Sequence, residues 1–176
     1  MTPVPADDPR ITALGLFAEV NVGLNARLAE QVARYGLAPI EFEVLIRLVR
    51  SPRGSLRMTD LSAQTSLTSS GITRLVDRLE RDGLVHRDAC PTDRRSSFAV
   101  ISRAGRQRVD DILPGHLQLI EDLFTGPLEP AELDCLLGAL RKIRAVVRPC
   151  ATAGTEARTD SDRTGPVGTG RTGTAR

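Results

Sequence analysis

Residues 58–82 have the sequence MTDLSAQTSLTSSGITRLVDRLERD. This stretch predicts two short helices joined by a tight turn at residues 66–68, with Thr59 and Thr68 as the two N-caps. In the second helix, apolar side chains recur at i, i+3, i+4 and i+7, which predicts one buried face formed by Ile72, Leu75, Val76 and Leu79. We therefore expect a helix-turn-helix unit in which the opposite face of the second helix is exposed to solvent.

The opposite face of the second helix is polar. Short polar side chains allow a helix to lie deep in a DNA major groove, where hydroxyls contact phosphates or base edges and Arg pairs with guanine or phosphate. A helical pair with a merely solvated face is the alternative, because helix-turn-helix patterns are short. The candidate DNA-binding residues here are Thr68, Ser69, Ser70, Thr73, Arg74 and Arg78, with Asp77 and Arg81 beside them.

The residues after this helix predict a β-hairpin. Two strands are predicted around the polar tip CPTDRRSS at residues 90–97, the first from Leu84 and Val85 and the second from Phe98, Val100 and Ile101. A hairpin that directly follows a recognition helix is a wing, and Arg94 and Arg95 at its tip are candidates to enter a narrow minor groove. Asp93 is expected to orient Arg95, or a neighbour such as Arg78, through a paired hydrogen bond. An ordinary charged turn is the alternative.

Helical periodicity extends to both sides of this region. This periodicity predicts helices over residues 10–34 and 39–50 before the helix-turn-helix, and over residues 103–124 and 130–148 after the wing. Pro114 is expected to kink or break the helix over 103–124. Residues 1–9 and 149–176 are predicted to be flexible. The fold class is therefore mainly α with a small β-hairpin wing: one unit over 10–148, with a winged helix-turn-helix lobe at 39–108 and outer helices at 10–38 and 109–148.

Charge is unevenly distributed along the chain. Thirteen Arg and six acidic residues give residues 47–108 a charge of +7, whereas residues 1–46 and 109–150 each carry −3 and the tail carries +1, for the total of +2. A basic middle between acidic flanks is typical of a protein in which one region meets phosphates. A solvated basic surface is the alternative.

Other function classes find less support in the sequence. The chain has two His, three widely spaced Cys and no glycine-rich phosphate loop, so we expect no enzyme activity, no metal and no cofactor. An interaction module without DNA binding is a further alternative, which the Asp93–Arg95 tip disfavours. No signal peptide and no apolar run of membrane-spanning length is evident, so we expect a cytoplasmic protein without a membrane partner.

From Met58 to Gly105 the sequence resembles the multiple antibiotic resistance regulator (MarR) family. The resemblance depends on ITRLVDRLE at 72–80, DGLVHR at 82–87, the D-x-R motif at Asp93 and Arg95, and the Ser-Arg-Ala-Gly turn at 102–105. It implies a homodimer held together by the first and the last two helices, with two winged lobes on a pseudo-palindromic site in double-stranded DNA. It also implies a repressor that is released by a small aromatic or anionic effector.

Residues near the helix junctions are candidates for an effector pocket, namely Arg34, Tyr35 and His116, although ordinary surface or interface positions are the alternative for each. A thiol-redox-responsive or ligand-independent regulator is the alternative to effector release. Cys90 lies among Arg residues that could lower its pKa, while the start of the first helix has no Cys and Cys135 is expected in the core.

Overall fold

The fold of this chain, given by a computed structural model, is mainly helical with a small antiparallel sheet, as the sequence predicts. The structure describes residues 8–90 and 93–152, and the side chains of residues 8–89 and 97–151. The helices are α1 (Pro9–Ala33), α2 (Pro39–Arg50), α3 (Met58–Thr65), α4 (Ser69–Arg81), α5 (Arg103–Ile120) and α6 (Pro130–Val147). The strands are β1 (Ser55–Arg57), β2 (Val85–Cys90) and β3 (Asp93–Ile101).

The core is aliphatic apart from Phe42 and includes the buried faces of the helix-turn-helix. Fully burying a Leu, Ile or Val side chain stabilises a fold by about 1.5–3 kcal/mol, so these residues fix how α2 to α5 pack together. All four residues of the predicted buried face of α4 are buried, which confirms that prediction. The largest fully buried apolar side chains are Val32, Val44, Leu45, Leu48, Leu61, Ile72, Val76, Leu79, Val109 and Ile112.

The wing hairpin is part of a three-stranded sheet with the order β1-β3-β2. Both pairings are antiparallel, with Ser55 opposite Val100 and Val85 opposite Ile101. The strand β1 was not predicted, because three residues are too few to show an alternating pattern. It follows a tight turn in which Gly54 has a φ of +69°, a conformation that glycine adopts without strain.

The two helices of the helix-turn-helix begin in different ways. Thr68 caps α4 as predicted, since its hydroxyl oxygen accepts a hydrogen bond from the Gly71 backbone N–H at 3.1 Å. The prediction that Thr59 caps α3 is wrong: α3 begins at Met58 with Arg57 as its N-cap residue. Strand β1 leads directly into α3, so the helix begins two residues earlier than it would with a hydroxyl cap at Thr59.

Helix α5 runs through Pro114 without ending there. A proline removes the hydrogen bond to the carbonyl four residues earlier, which here belongs to Asp110. Both residues are exposed, so water can satisfy that carbonyl. Regular α-helix ends only after Ile120, in a π-helical turn over Glu121–Thr125.

The outer helices α1 and α6 leave apolar side chains exposed. In α6 no residue is buried, and Cys135 is exposed, so the expectation that Cys135 belongs to the core is wrong for the single chain. No helix among the described residues is long and apolar enough to cross a membrane. The exposed apolar residues of these two helices are Ile11, Leu14, Leu16, Phe17, Val20, Val22, Ile143, Val146 and Val147.

Helical structure extends slightly past both predicted ends of the folded unit. Helix α1 begins at Pro9 with Asp8 as its N-cap, and residues Pro149–Thr152 form a 3-10 turn that contacts α3. Residues 149–152 therefore do not belong to a structureless tail. The remaining residues of both predicted tails, 1–7 and 153–176, lie outside the described residues.

Candidate nucleic-acid interface

The outer face of α4 carries short hydroxyl side chains at its start and an arginine one turn later. Ser69, Ser70, Thr73 and Arg74 are all exposed. The Thr73 hydroxyl donates to the Ser69 carbonyl at 2.8 Å, and the Thr68 and Ser70 hydroxyls lie 3.2 Å apart. Arg74 makes no hydrogen bond or ion pair with the described side chains, so its guanidinium is available to an external acceptor.

Arg78 connects α4 to the start of α2. Its Nη1 lies 3.0 Å from Oε1 of Glu41, whose side chain is only 6% exposed. The other Glu41 oxygen accepts a hydrogen bond from the Ala38 backbone N–H at 2.8 Å and so caps α2. The contact to Arg78 lacks hydrogen-bond alignment at Oε1, so the attraction is mainly that of opposite charges.

The role of Arg78 as a DNA-binding residue stays a prediction. Its side chain is 55% exposed, so the pairing with Glu41 leaves part of the guanidinium accessible. Sequence reasoning missed Glu41. Its position three residues after the N-cap of α2 matches the capping-box pattern and could have indicated the capping contact, but not the pairing with α4.

Arg87 on β2 contacts α4 over two of its turns. Its Nη1 lies 2.5 Å from Asp77 Oδ1, and its Nη2 donates to the Thr73 carbonyl at 3.1 Å. The Arg87 backbone N–H donates to Glu80 Oε1 at 3.1 Å. Sequence reasoning did not single out Arg87. These contacts fix strand β2 against α4. The Arg87 guanidinium also balances the negative charges of Asp77 and Glu80, the two acidic residues of α4.

Within the wing tip, the structure describes the backbone of Cys90 and of residues 93–97, whereas Pro91 and Thr92 lie outside the described residues. Strands β2 and β3 remain paired as far as Cys90 and Asp93. The side chains of Cys90, Asp93, Arg94 and Arg95 lie outside the described residues, so the roles predicted for them stay predictions.

At the end of the sheet where β1 pairs with β3, the Arg57 guanidinium lies 5.6 Å from the centre of the Phe98 ring, within the range of a cation–π contact.

The three predicted effector residues lie beside two separate cavities. Arg34 and Tyr35 line a cavity of about 270 Å³ between α1 and α5. His116 lines another of about 480 Å³, formed by α1, α2 and α5 with Leu28, Val32, Phe42 and Ile46 among its walls. The sequence therefore grouped residues that the fold distributes over two neighbouring sites.

His116 is held by two contacts. Its Nδ1 lies 3.1 Å from Oε1 of Gln31, and Gln31 Nε2 donates to the Ile112 carbonyl at 3.2 Å. The Phe42 ring packs edge-on against the imidazole at 4.9 Å between centroids. Burial lowers the pKa of His116 below its usual value, because the charged form loses hydration.

Known proteins resemble this chain over much of its length. A family model described as MarR family matches residues 35–96. The chain is 32% identical over 127 residues to YkoM, an uncharacterised HTH-type transcriptional regulator of Bacillus subtilis, covering 72% of this chain and 80% of that protein. It is 31% identical over 107 residues to the HTH-type transcriptional repressor YetL of the same bacterium, covering 61% and 64%.

A solved protein–DNA complex shares the fold. Sco3205, a MarR family transcriptional regulator from Streptomyces coelicolor, was solved in complex with DNA and is 27% identical to this chain with a TM-score of 0.77. The match covers 89% of this chain and 98% of that one, so it includes the outer helices as well as the helix-turn-helix.

Proposed function

Because this chain belongs to the MarR family of transcriptional regulators, we propose that it acts as a homodimeric repressor that binds a pseudo-palindromic operator in double-stranded DNA. The observation that carries the proposal is the outer face of α4. It combines exposed hydroxyls with Arg74, which has no partner among the described side chains, on a helix that Glu41 and Arg87 hold in place. Repression requires only that the bound protein occupy the operator, and the relative YetL is named a repressor.

The DNA contacts are divided between α4 and the wing. In this proposal Ser69, Ser70, Thr73 and Arg74 meet base edges and phosphates in the major groove, and Thr68 meets a phosphate at the start of the helix. Arg94 and Arg95 enter the adjacent minor groove, and Asp93 orients Arg95. The wing assignment rests on the sequence, and the assignment to α4 also rests on the exposure of its outer face in the structure.

The apolar surfaces of α1 and α6 support the homodimer. Neighbouring exposed apolar side chains such as Leu14 and Phe17 in α1 cost free energy in water, and a second copy can cover them. A two-fold dimer also presents two α4 helices to two half-sites of DNA, as a pseudo-palindrome requires.

We further propose that a small effector releases the protein from DNA, and the cavity at His116 supports this proposal. Because Gln31 Nε2 donates to Ile112, its Oε1 is an acceptor, and the neutral His116 then carries its proton on Nδ1. His116 Nε2 remains as a hydrogen-bond acceptor beside the Phe42 ring. A small aromatic effector with a hydroxyl donor suits this arrangement, while an anionic one would be attracted by Arg34 at the neighbouring cavity.

Fluorescence anisotropy on duplexes from the gene's own upstream region tests the proposal. We expect saturable, sequence-dependent binding whose affinity falls steeply as salt rises, because several phosphates are contacted by each protomer. Arg95→Ala is expected to weaken binding by about ten-fold, the loss of one good contact, whereas Arg141→Ala on α6 is expected to leave it unchanged. Sequence-indifferent binding, or equal effects of the two variants, would contradict the proposed operator recognition.

A further inference from the structure

A third cavity, which we call the arginine cavity, lies between α2, the end of α3 and the end of α6. Its volume is about 550 Å³. Four of its lining residues are arginines, and the one acidic residue among the described lining is Glu43. The arginines are Arg47, Arg50, Arg144 and Arg148.

Two of these arginines hold the walls of the cavity together. Arg47 lies 2.6 Å from Glu43 and also donates to the Ala151 carbonyl at 3.3 Å. Arg148 Nη2 donates to the Gln64 carbonyl at 2.8 Å, at the end of α3 where carbonyls lack helical partners and attract a cation. The shape of the cavity is therefore fixed by hydrogen bonds that join three segments distant in sequence.

The other two arginines are uncompensated. The side chains of Arg50 and Arg144 are exposed, and neither guanidinium makes a hydrogen bond or ion pair with any residue the structure describes. Since Glu43 is already paired with Arg47, the described lining residues carry a net charge of +3, and none of them is an acidic residue left for these two arginines. Like charges around one recess repel, and a bound anion relieves that repulsion while accepting paired hydrogen bonds from guanidinium groups.

We propose that the arginine cavity binds a small multivalent anion, one that carries phosphate or several carboxylates, with Arg50 and Arg144 as its main ligands. Among the residues that the structure describes, Glu43 and Ile46 alone line both this cavity and the one at His116, so the two sites lie along different parts of α2. In the wall of the cavity, Arg148 donates a hydrogen bond to α3, and the Ala151 carbonyl accepts one from Arg47. A bound anion therefore stabilises the attachment of the C-terminal segment to the helix-turn-helix.

Calorimetric titration of the full-length protein with inorganic phosphate, pyrophosphate and citrate, without DNA and at constant ionic strength, tests this proposal. We expect saturable binding to at least one of the three, and about ten-fold or greater weakening in the variant R50A/R144A. The matched control R141A/K142A removes the same charge from exposed positions of α6 outside the cavity lining, and is expected to bind as the wild type does.

Four outcomes would overturn the proposal. They are absence of saturable binding at millimolar anion, equal weakening by the two double variants, an altered oligomeric state of R50A/R144A, and weakened DNA binding of R50A/R144A in anion-free buffer. The third outcome would assign the arginines to an interface between subunits, and the fourth to DNA contact. Because anion binding is measured without DNA, its failure leaves the proposed operator binding intact.

Discussion

Arg87 on β2 places its Nη1 2.5 Å from the Asp77 carboxylate on α4, which ties the first strand of the wing to the recognition helix. A second hydrogen bond reaches the Thr73 carbonyl, one turn earlier on the same helix. The orientation of α4 relative to the wing is therefore set by a side chain that need not touch DNA. In a protein that uses both elements on one duplex, that orientation decides whether helix and wing can bind at the same time.

We expect Arg87→Ala to lower operator affinity by about ten-fold, since a tilted helix misplaces several contacts at once, and to lower the free energy of unfolding by about 1–2 kcal/mol. Anisotropy and urea unfolding measure the two effects. Arg87→Lys is the sharper test, because one ammonium group cannot reproduce the forked contact to Asp77 and Thr73. Wild-type DNA affinity in Arg87→Lys would contradict the positioning role.

The pairing of Glu41 with Arg78 predicts a coupling that a double-mutant cycle can measure. Arg78→Ala leaves a buried carboxylate without its cation, so we expect a loss of about 1–2 kcal/mol in the free energy of unfolding. In a Glu41→Gln background, where the capping acceptor remains but the charge is gone, the same change is expected to cost much less. Equal costs in the two backgrounds would show that the pair contributes nothing.

Local patterns made much of the lobe predictable from sequence. The buried face of α4, the Thr68 cap and the bounds of α2 depend on residues within one or two turns, and the structure confirms them. The contacts of Glu41 and Arg87 were not predictable, because their partners lie on other elements and many charged residues could have paired with them. The sequence could only indicate that such a basic segment needs some acidic partners.

Cys135 illustrates a different limit of sequence-based prediction, which concerns burial. Its helix shows a wide apolar stripe, from which burial in the core was expected, yet α6 buries no residue within the chain. Hydrophobic periodicity indicates that a face needs to be covered, but not whether the same chain or a second copy covers it. For the same reason, the apolar residues of α1 do not reveal their partner until the oligomeric state is measured.

Leu14 and Phe17 are 69% and 56% exposed on α1, and they provide a test of the homodimer. We expect the variant L14D/F17D to be monomeric in sedimentation and to lose most of its operator affinity, because one lobe alone makes half of the contacts. Glu19→Gln, a change at a polar exposed position of the same helix, is expected to remain dimeric. A dimeric L14D/F17D variant would remove α1 from the proposed interface.

Gly105 marks a close approach between α5 and the residue before β2. A Cβ at this position would lie 2.1 Å from the Leu84 carbonyl oxygen and 2.8 Å from Ile101, so backbone would have to shift. We expect Gly105→Ala to lower the free energy of unfolding by about 1–3 kcal/mol. Gly138→Ala in α6, where nothing lies within 4 Å of the added Cβ, is expected to stabilise its helix by up to about 1 kcal/mol. Similar melting temperatures for the two variants would contradict the close approach.

His116 gives the chain a stability that depends on pH. Burial lowers its pKa in the folded state, so the unfolded chain binds a proton more readily. The stabilisation from its neutral form is therefore complete above the unfolded value of about 6.5, and is lost as pH falls through that value toward the lower folded pKa. Urea unfolding at a series of pH values between about 7.5 and 5.5 follows this loss, above the range in which most carboxylates titrate.

A comparison of two histidine variants assigns that loss to one residue. His116→Gln is expected to flatten the fall in unfolding free energy over this range, since glutamine has no proton to gain. His86→Gln, which changes the other histidine at an exposed position on β2, is the matched control. If the His116→Gln slope matched that of the wild type, the burial of the imidazole against Phe42 and Gln31 would not control its protonation.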